Sequence, residues 1–218
     1  MADFFREVDE DVRRDQAIQL WKKYQNWVIG AALIIVAATA GWRVYDYFRL
    51  KAGEAAGSRY EAALQLLQNG TDGEADKQFR ALAKDGPYGY ATLARLGAAD
   101  AIAAKDPAAG IGAYDAVAED PRVEPTYQDI ARLRAAYLRI DREDPKKFEA
   151  RYAPFADPER PYRNFYRELL ALAAFKSGDF DSAGRWLDEI AMDPSAPPAL
   201  RGRAGAFLEL VQAGKLPN

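Results

Sequence analysis

YQNWVIGAALIIVAATAGW, residues 24–42, is a run of nineteen residues without a charge, and its reading decides how the rest of the chain must be arranged. Lys22 and Lys23 precede it and Arg43 follows it. At ~1.5 Å rise per residue such a helix reaches ~28 Å, close to the thickness of a bilayer's hydrocarbon core. Its interior is Val, Ile, Leu and Ala with two glycines and one threonine, all tolerable in lipid, whereas a surface helix of a globular domain keeps a polar face. Tyr24 and Trp27 mark one end and Trp42 and Tyr45 the other, the placement of aromatic side chains at the two headgroup levels. The stretch is therefore read as a single N-terminal transmembrane helix, with those four aromatics as its membrane-interface residues. It starts too far into the chain and runs too long for a signal-peptide core, so it is expected to stay as an uncleaved anchor. Five basic residues precede it (Arg6, Arg13, Arg14, Lys22, Lys23) and four follow within a similar length (Arg43, Arg49, Lys51, Arg59). The excess places the N-terminus in the cytoplasm by the positive-inside rule.

On the N-terminal side, residues 1–23 read as an amphipathic cytoplasmic tail. Phe4, Phe5, Val8, Val12, Ala17, Ile18 and Trp21 mark an apolar stripe at helical spacing, and Arg6, Glu7, Asp9, Glu10, Arg13, Arg14 and Asp15 crowd the other face. Glu10 and Arg14 stand at i,i+4, a pairing that supports a helix. The mixed charge fits either a helix along the membrane surface or a docking helix for a membrane partner. On the other side, residues 43–67 are expected to form a connecting helix, weakened by about 1 kcal/mol at each of Gly53 and Gly57.

The chain carries 30 basic and 33 acidic residues, a balance without the basic excess that nucleic acid requires. It has no cysteine and no histidine. Ser-His-Asp and Cys-His catalysis, thiolate metal sites and His-ligated zinc are thereby excluded. Gly70-Thr71-Asp72-Gly73 lacks the Lys-Ser/Thr of a phosphate loop and reads as a turn. Carboxylates such as Asp157 and Glu159 remain formally open to chemistry, but they stand in a proline-rich link, Pro154 to Pro161, where a solvated role is expected. The expectation is a protein with no catalytic, metal or cofactor-binding residues.

The remaining chain repeats. Tyr90, Ala94-Arg95-Leu96 and Ala98-Ala99 recur 37 residues on as Tyr127, Ala131-Arg132-Leu133 and Ala135-Ala136. Asn164 to Ala173 carries a weaker echo after a further 37, and Ala75 to Pro87 matches Ala109 to Pro121 at 34. Periods of 34 to 37 with paired helices indicate an α-solenoid, in which each hairpin buries its apolar face only against its neighbours. The residue types fit the tetratricopeptide repeat: Ala75, Phe79, Leu82 and Pro87; then Leu96-Gly97, Ala109, Ala116 and Pro121; then Leu170, Gly178-Asp179-Phe180, Ala183, Leu187 and Pro194. Arg167 stands where the last unit should have its first-helix aromatic, and Arg134 replaces the small residue matching Gly97, so the third unit is expected to be distorted. Its second helix should be short, Pro145 to Tyr152, and Pro197 to Ala213 should close the stack as a capping helix. The fold class is all-α: one transmembrane helix, then a tetratricopeptide-like repeat domain over residues 60–218.

The pre-membrane stretch Phe5 to Asp15 (FREVDEDVRRD) and Leu20 to Tyr24 (LWKKY), with Gly89 to Leu96, Arg167 to Ala174 and Asp193 to Arg203, resembles the YfgM-like tetratricopeptide-repeat family, ancillary subunits of the bacterial Sec translocon. The resemblance spans nearly the whole chain. It implies a bacterial inner-membrane protein with one span, a cytoplasmic N-terminus and a periplasmic repeat domain. It also implies association with the SecYEG translocon and with a PpiD-like periplasmic chaperone. The function expected is that of a non-catalytic scaffold binding polypeptides near the translocon exit, aiding translocation or periplasmic folding. A scaffold for cell-envelope assembly or division enzymes, or a regulator acting through the cytoplasmic tail, would share the architecture. Projecting the repeat register onto the first helices nominates Tyr60, Leu64, Leu67, Ile102, Phe165, Glu168, Leu172 and Phe175 as the candidate partner groove.

Overall fold

A computed structural model describes residues 2–214, without the side chains of residues 2–13, 15–17 and 88. Most of the expected tail stripe and the Glu10–Arg14 pair lie outside the described side chains. Every element among the described residues is helical: α1 (Ala2–Gln68), α2 (Asp72–Asp85), α3 (Tyr88–Lys105), α4 (Pro107–Ala118), α5 (Pro125–Arg139), α6 (Pro145–Tyr152), a 3₁₀ turn (Ala153–Phe155), α7 (Arg163–Lys176), α8 (Phe180–Met192) and α9 (Pro198–Gly214). The chain divides into two compact units, residues 1–54 and 55–218.

The first unit holds the part of α1 that ends at Glu54. Its apolar side chains from Leu33 to Val36 are 64–70% exposed, and Trp27 is 80% exposed. One helix stretch, from Ile18 onward, is long and apolar enough to cross a bilayer. Trp42 stacks obliquely on Tyr45 at 6.2 Å, and the Lys23 ammonium lies 5.4 Å from the Tyr24 ring.

In the second unit, helical hairpins follow one another and bury four apolar clusters in chain order. Ala56 and Ala63 of α1 meet Ala75, Phe79 and Leu82 of α2 and Ala94, Ala98 and Ala101 of α3. The opposite side of α3, Leu96 and Ala99, packs with Tyr114 and Val117 of α4 and Ala131 and Ala135 of α5. Ala136 and Ile140 then meet Phe148 and Tyr152 of α6 and Tyr166, Leu169 and Leu170 of α7. Finally Ala171 joins Ala183, Leu187 and Ile190 of α8 to Leu200, Ala204 and Val211 of α9. The first helices α3, α5 and α7 thus each serve two clusters, which is how a repeat that cannot bury its own face becomes stable.

The chain ends two first helices with glycines in the left-handed region, where a Cβ is disfavoured. Gly70 (φ +73) closes α1, with the Thr71 N–H donating to the Leu66 carbonyl at 2.8 Å; Gly178 (φ +80) closes α7, with the Asp179 N–H donating to the Ala174 carbonyl at 2.9 Å. Both are Schellman endings. Three of the four second helices, α4, α6 and α8, start on aspartate caps. Asp106 accepts from Ala108 and Ala109, Asp144 from Lys146 and Lys147, and Asp179 from Ser182. Pro107 and Pro145 follow the first two caps, occupying first-turn positions whose N–H would be unpaired in any case.

Candidate protein-binding surface

The eight sequence-nominated groove residues fall in five neighbourhoods. Tyr60, Leu64 and Leu67 are half-buried against the first cluster, with the Tyr60 ring edge-on to Phe79 at 5.5 Å. Leu172 packs on the third cluster. Phe165 and Phe175 pack on the fourth, Phe175 edge-on to Phe180 at 5.5 Å and to Phe207 at 5.3 Å. The Glu168 carboxylate receives two hydrogen bonds from Arg203, 2.8 and 3.0 Å. Ile102 faces an open groove between α2 and α4. Asp157 and Glu159 are exposed, Asp157 accepting from the Glu159 N–H at 2.9 Å in a local turn.

Charged residues at repeat spacing occupy the first helices. Asp100, Arg134, Glu168 and Arg203 stand 34, 34 and 35 residues apart on α3, α5, α7 and α9, alternating in sign. Arg134 reaches back to both oxygens of Asp100, 2.8 and 2.6 Å, while Arg203 clamps Glu168. Tyr114 of α4 also donates to Asp100, and burial followed by that bond raises its hydroxyl pKa well above the ordinary value. Arg134, which departs from the small residue of the motif, therefore ties neighbouring first helices together. The ladder was open to sequence reasoning, because its members share the repeat period.

Two aspartates lock the links from a second helix to the next first helix. Asp120 holds Arg95 at 2.8 Å and Arg122 at 3.0 Å. Asp193 gathers Arg163 (2.7 Å), Asn164 (2.9 Å) and the buried Arg167 (3.3 Å) from α7, together with the Ser195 hydroxyl. Arg167 is buried where the motif would place an aromatic, and Glu189 of α8 lies 3.0 Å from its Nε. Hydrogen bonds from Arg163 and Ser195 hold the Asp193 carboxyl below the ordinary carboxylate range.

Between α2 and α4, above α3, lies a groove of about 430 Å³. Its floor is Ala98, Ala99 and Ile102, and Arg80, Lys84 and Arg95 stand along it. A second hollow of about 370 Å³ continues from Ala83 and Arg95 toward Arg122 and Val123. The groove exists because alanines face it from all three helices, and sequence reading found only Ile102 of its lining. Among the described residues no group of three or more acidic side chains converges as a metal cage. The arrangement offers apolar floor and cationic edge, which suit adhesion.

A family model described as a tetratricopeptide repeat-like domain matches residues 19–151. No curated protein and no solved structure matches the chain.

Proposed function

This chain belongs to the tetratricopeptide repeat-like domain family, and from that premise we propose that it is a membrane-anchored, non-catalytic scaffold that binds polypeptide partners. Such repeats serve as surfaces for protein–protein interaction. The observation that carries the reading is the exposure of Leu33 to Val36 on the helix that continues into the first hairpin of the stack. These residues stand in the middle of the uncharged run 24–42, and an uncovered apolar stretch of nineteen residues asks for lipid. The family match itself starts at residue 19, ahead of that stretch, so the apolar helix and the repeats are matched together.

The setting we propose is the bacterial inner membrane, with the N-terminus cytoplasmic, the repeats periplasmic, and the scaffold near the exit of the Sec translocon beside a membrane-bound chaperone. The resemblance of the pre-membrane and repeat stretches to the YfgM-like proteins supports it, as does the slight basic excess before residue 24. Tethering raises the effective concentration of a weak binding surface for chains emerging at the membrane. The test is photocrosslinking in intact membranes from Trp27 and from Tyr137, which is 43% exposed on α5. Translocon subunits should be captured from Trp27 and translocating chains or a chaperone from Tyr137. Recovery of envelope synthases alone, or of no membrane partner, overturns the setting.

A further inference from the structure

The grooves between successive second helices differ in one respect that the repeat spacing exposes. Thirty-seven residues separate Arg95 from Arg132, Ala98 from Ala135, and Ile102 from Arg139. Between α4 and α6 the chain fills its own groove, leaving about 150 Å³. There Arg139 donates to Asp115 at 3.0 Å and to the Tyr152 hydroxyl at 2.9 Å, and the Phe155 ring lies 5.0 Å from the Arg132 guanidinium. Between α2 and α4 the position of Arg139 is taken by Ile102, which cannot bridge to a carboxylate, and the groove stays open at about 430 Å³.

Charge complementarity points to the occupant. Arg80, Lys84, Arg95 and Arg122 border the open groove and its continuation, whereas Asp76 and Asp120 are the carboxylates that pair with them. Lys84 has no ion-pair partner among the described residues. A chain with net charge −3 thus presents a local cationic excess beside an apolar floor. The filled groove one repeat later shows which side chain suits the place, an aromatic ring against an arginine, an arrangement favoured by cation–π attraction.

We propose that the α2–α4 groove is a docking site for an acidic polypeptide segment carrying an aromatic anchor, the ring entering over Ala98 and Ile102 and the flanking carboxylates meeting Arg80 and Lys84. The proposal rests on the reading of the protein as a polypeptide-binding scaffold and names the face and the partner chemistry. Electrostatic complementarity of this kind mainly sets specificity and encounter rate, and the buried ring supplies affinity.

Fluorescence anisotropy on the full chain in detergent micelles tests it with three labelled peptides: one with Phe between Asp and Glu residues, one with Ala in place of Phe, and one with Lys in place of the acids. The acidic Phe peptide should bind about tenfold more tightly than either other, a typical loss for removing one anchor. Ile102→Arg, which copies Arg139, should abolish that preference, and Lys84→Glu should weaken binding several-fold. Should Ile102→Arg fail to fold by circular dichroism, Lys84→Glu decides alone, since Lys84 is exposed. Equal binding of the three peptides, no binding, or indifference to Lys84→Glu overturns the site. Peptide failure alongside translocon capture from Trp27 removes the groove and leaves the scaffold standing; peptide success without that capture keeps the groove and the polypeptide-binding scaffold and removes only the translocon setting.

Discussion

Gly110 is held to glycine by its neighbour and Gly112, two residues on, is not. A Cβ on Gly110 would come 2.4 Å from the Ala103 Cβ and 2.6 Å from its Cα, so relief requires α3 and α4 to move apart. A Cβ on Gly112 would meet nothing within 4 Å. Gly110→Ala should therefore destabilise the protein by about 1–3 kcal/mol, the usual cost of overpacking a tight contact. Gly112→Ala should gain up to about 1 kcal/mol from helix propensity. Urea unfolding followed by circular dichroism reads both as shifts of midpoint in opposite directions at constant slope. Gly97 is constrained too, by the buried Phe79 ring at 2.6 Å from the Cβ it lacks, and it is the glycine of the repeat motif. That small-residue signal was legible in sequence because close helix approach selects glycine at a fixed place in the motif, a place that Arg134 breaks one repeat later. The pairing of Gly110 with Ala103 was not, since one alanine among many carries no mark of the backbone it faces.

Links between hairpins depend on single carboxylates, and the α8–α9 link shows the consequence for pH. Asp193 sits among Arg163, Arg167, Asn164 and Ser195, and the hydrogen bonds from Arg163, Ser195 and Asn164 lower its pKa from an ordinary 3.8. The unfolded chain therefore binds the proton more readily. The stabilisation is complete above about pH 4, where both states are ionised, and is lost as pH falls through the lower folded-state value. Asp193→Asn should cost about 1.5–3 kcal/mol at neutral pH, the worth of hydrogen bonds to a charged group. It should also flatten the fall of stability below about pH 4, as read by urea midpoints across the acid range. Some slope should persist, because hydrogen bonds also lower Asp120, Asp141 and Asp179. An unchanged slope would remove Asp193 from the acid response. The hairpins themselves were readable from periodicity and from the Gly178-Asp179 turn. The lock was not, because its members stand 26 to 30 residues apart at no repeated spacing. Arg167 registers in sequence only as a missing aromatic, and its partner is visible only once α7 and α8 are packed.

At the scale of the whole chain, an uncovered apolar stretch and a self-sufficient hairpin stack have separable demands. The four clusters of the second unit use side chains from Ala56 to Val211 and none from residues 24–42. The apolar stretch was legible from composition alone, whereas the grooves were not, since Ile102 and Leu172 look alike in sequence and face an open groove and a packed cluster respectively. If lipid is the natural cover of Leu33 to Val36, charge placed there must act on membrane residence and leave the stack intact. A charged side chain at mid-span costs about 2.5–3.5 kcal/mol on the insertion scale. The double substitution Leu33→Arg, Ile35→Asp should therefore shift the protein from the membrane pellet to the soluble fraction under alkaline carbonate. Its helical circular dichroism and the midpoint of its urea transition should remain those of the parent, because no cluster loses a contact. Release of the unsubstituted protein by carbonate would show that lipid does not hold this stretch, and a collapse of the urea transition in the double variant would show that the stack leans on it.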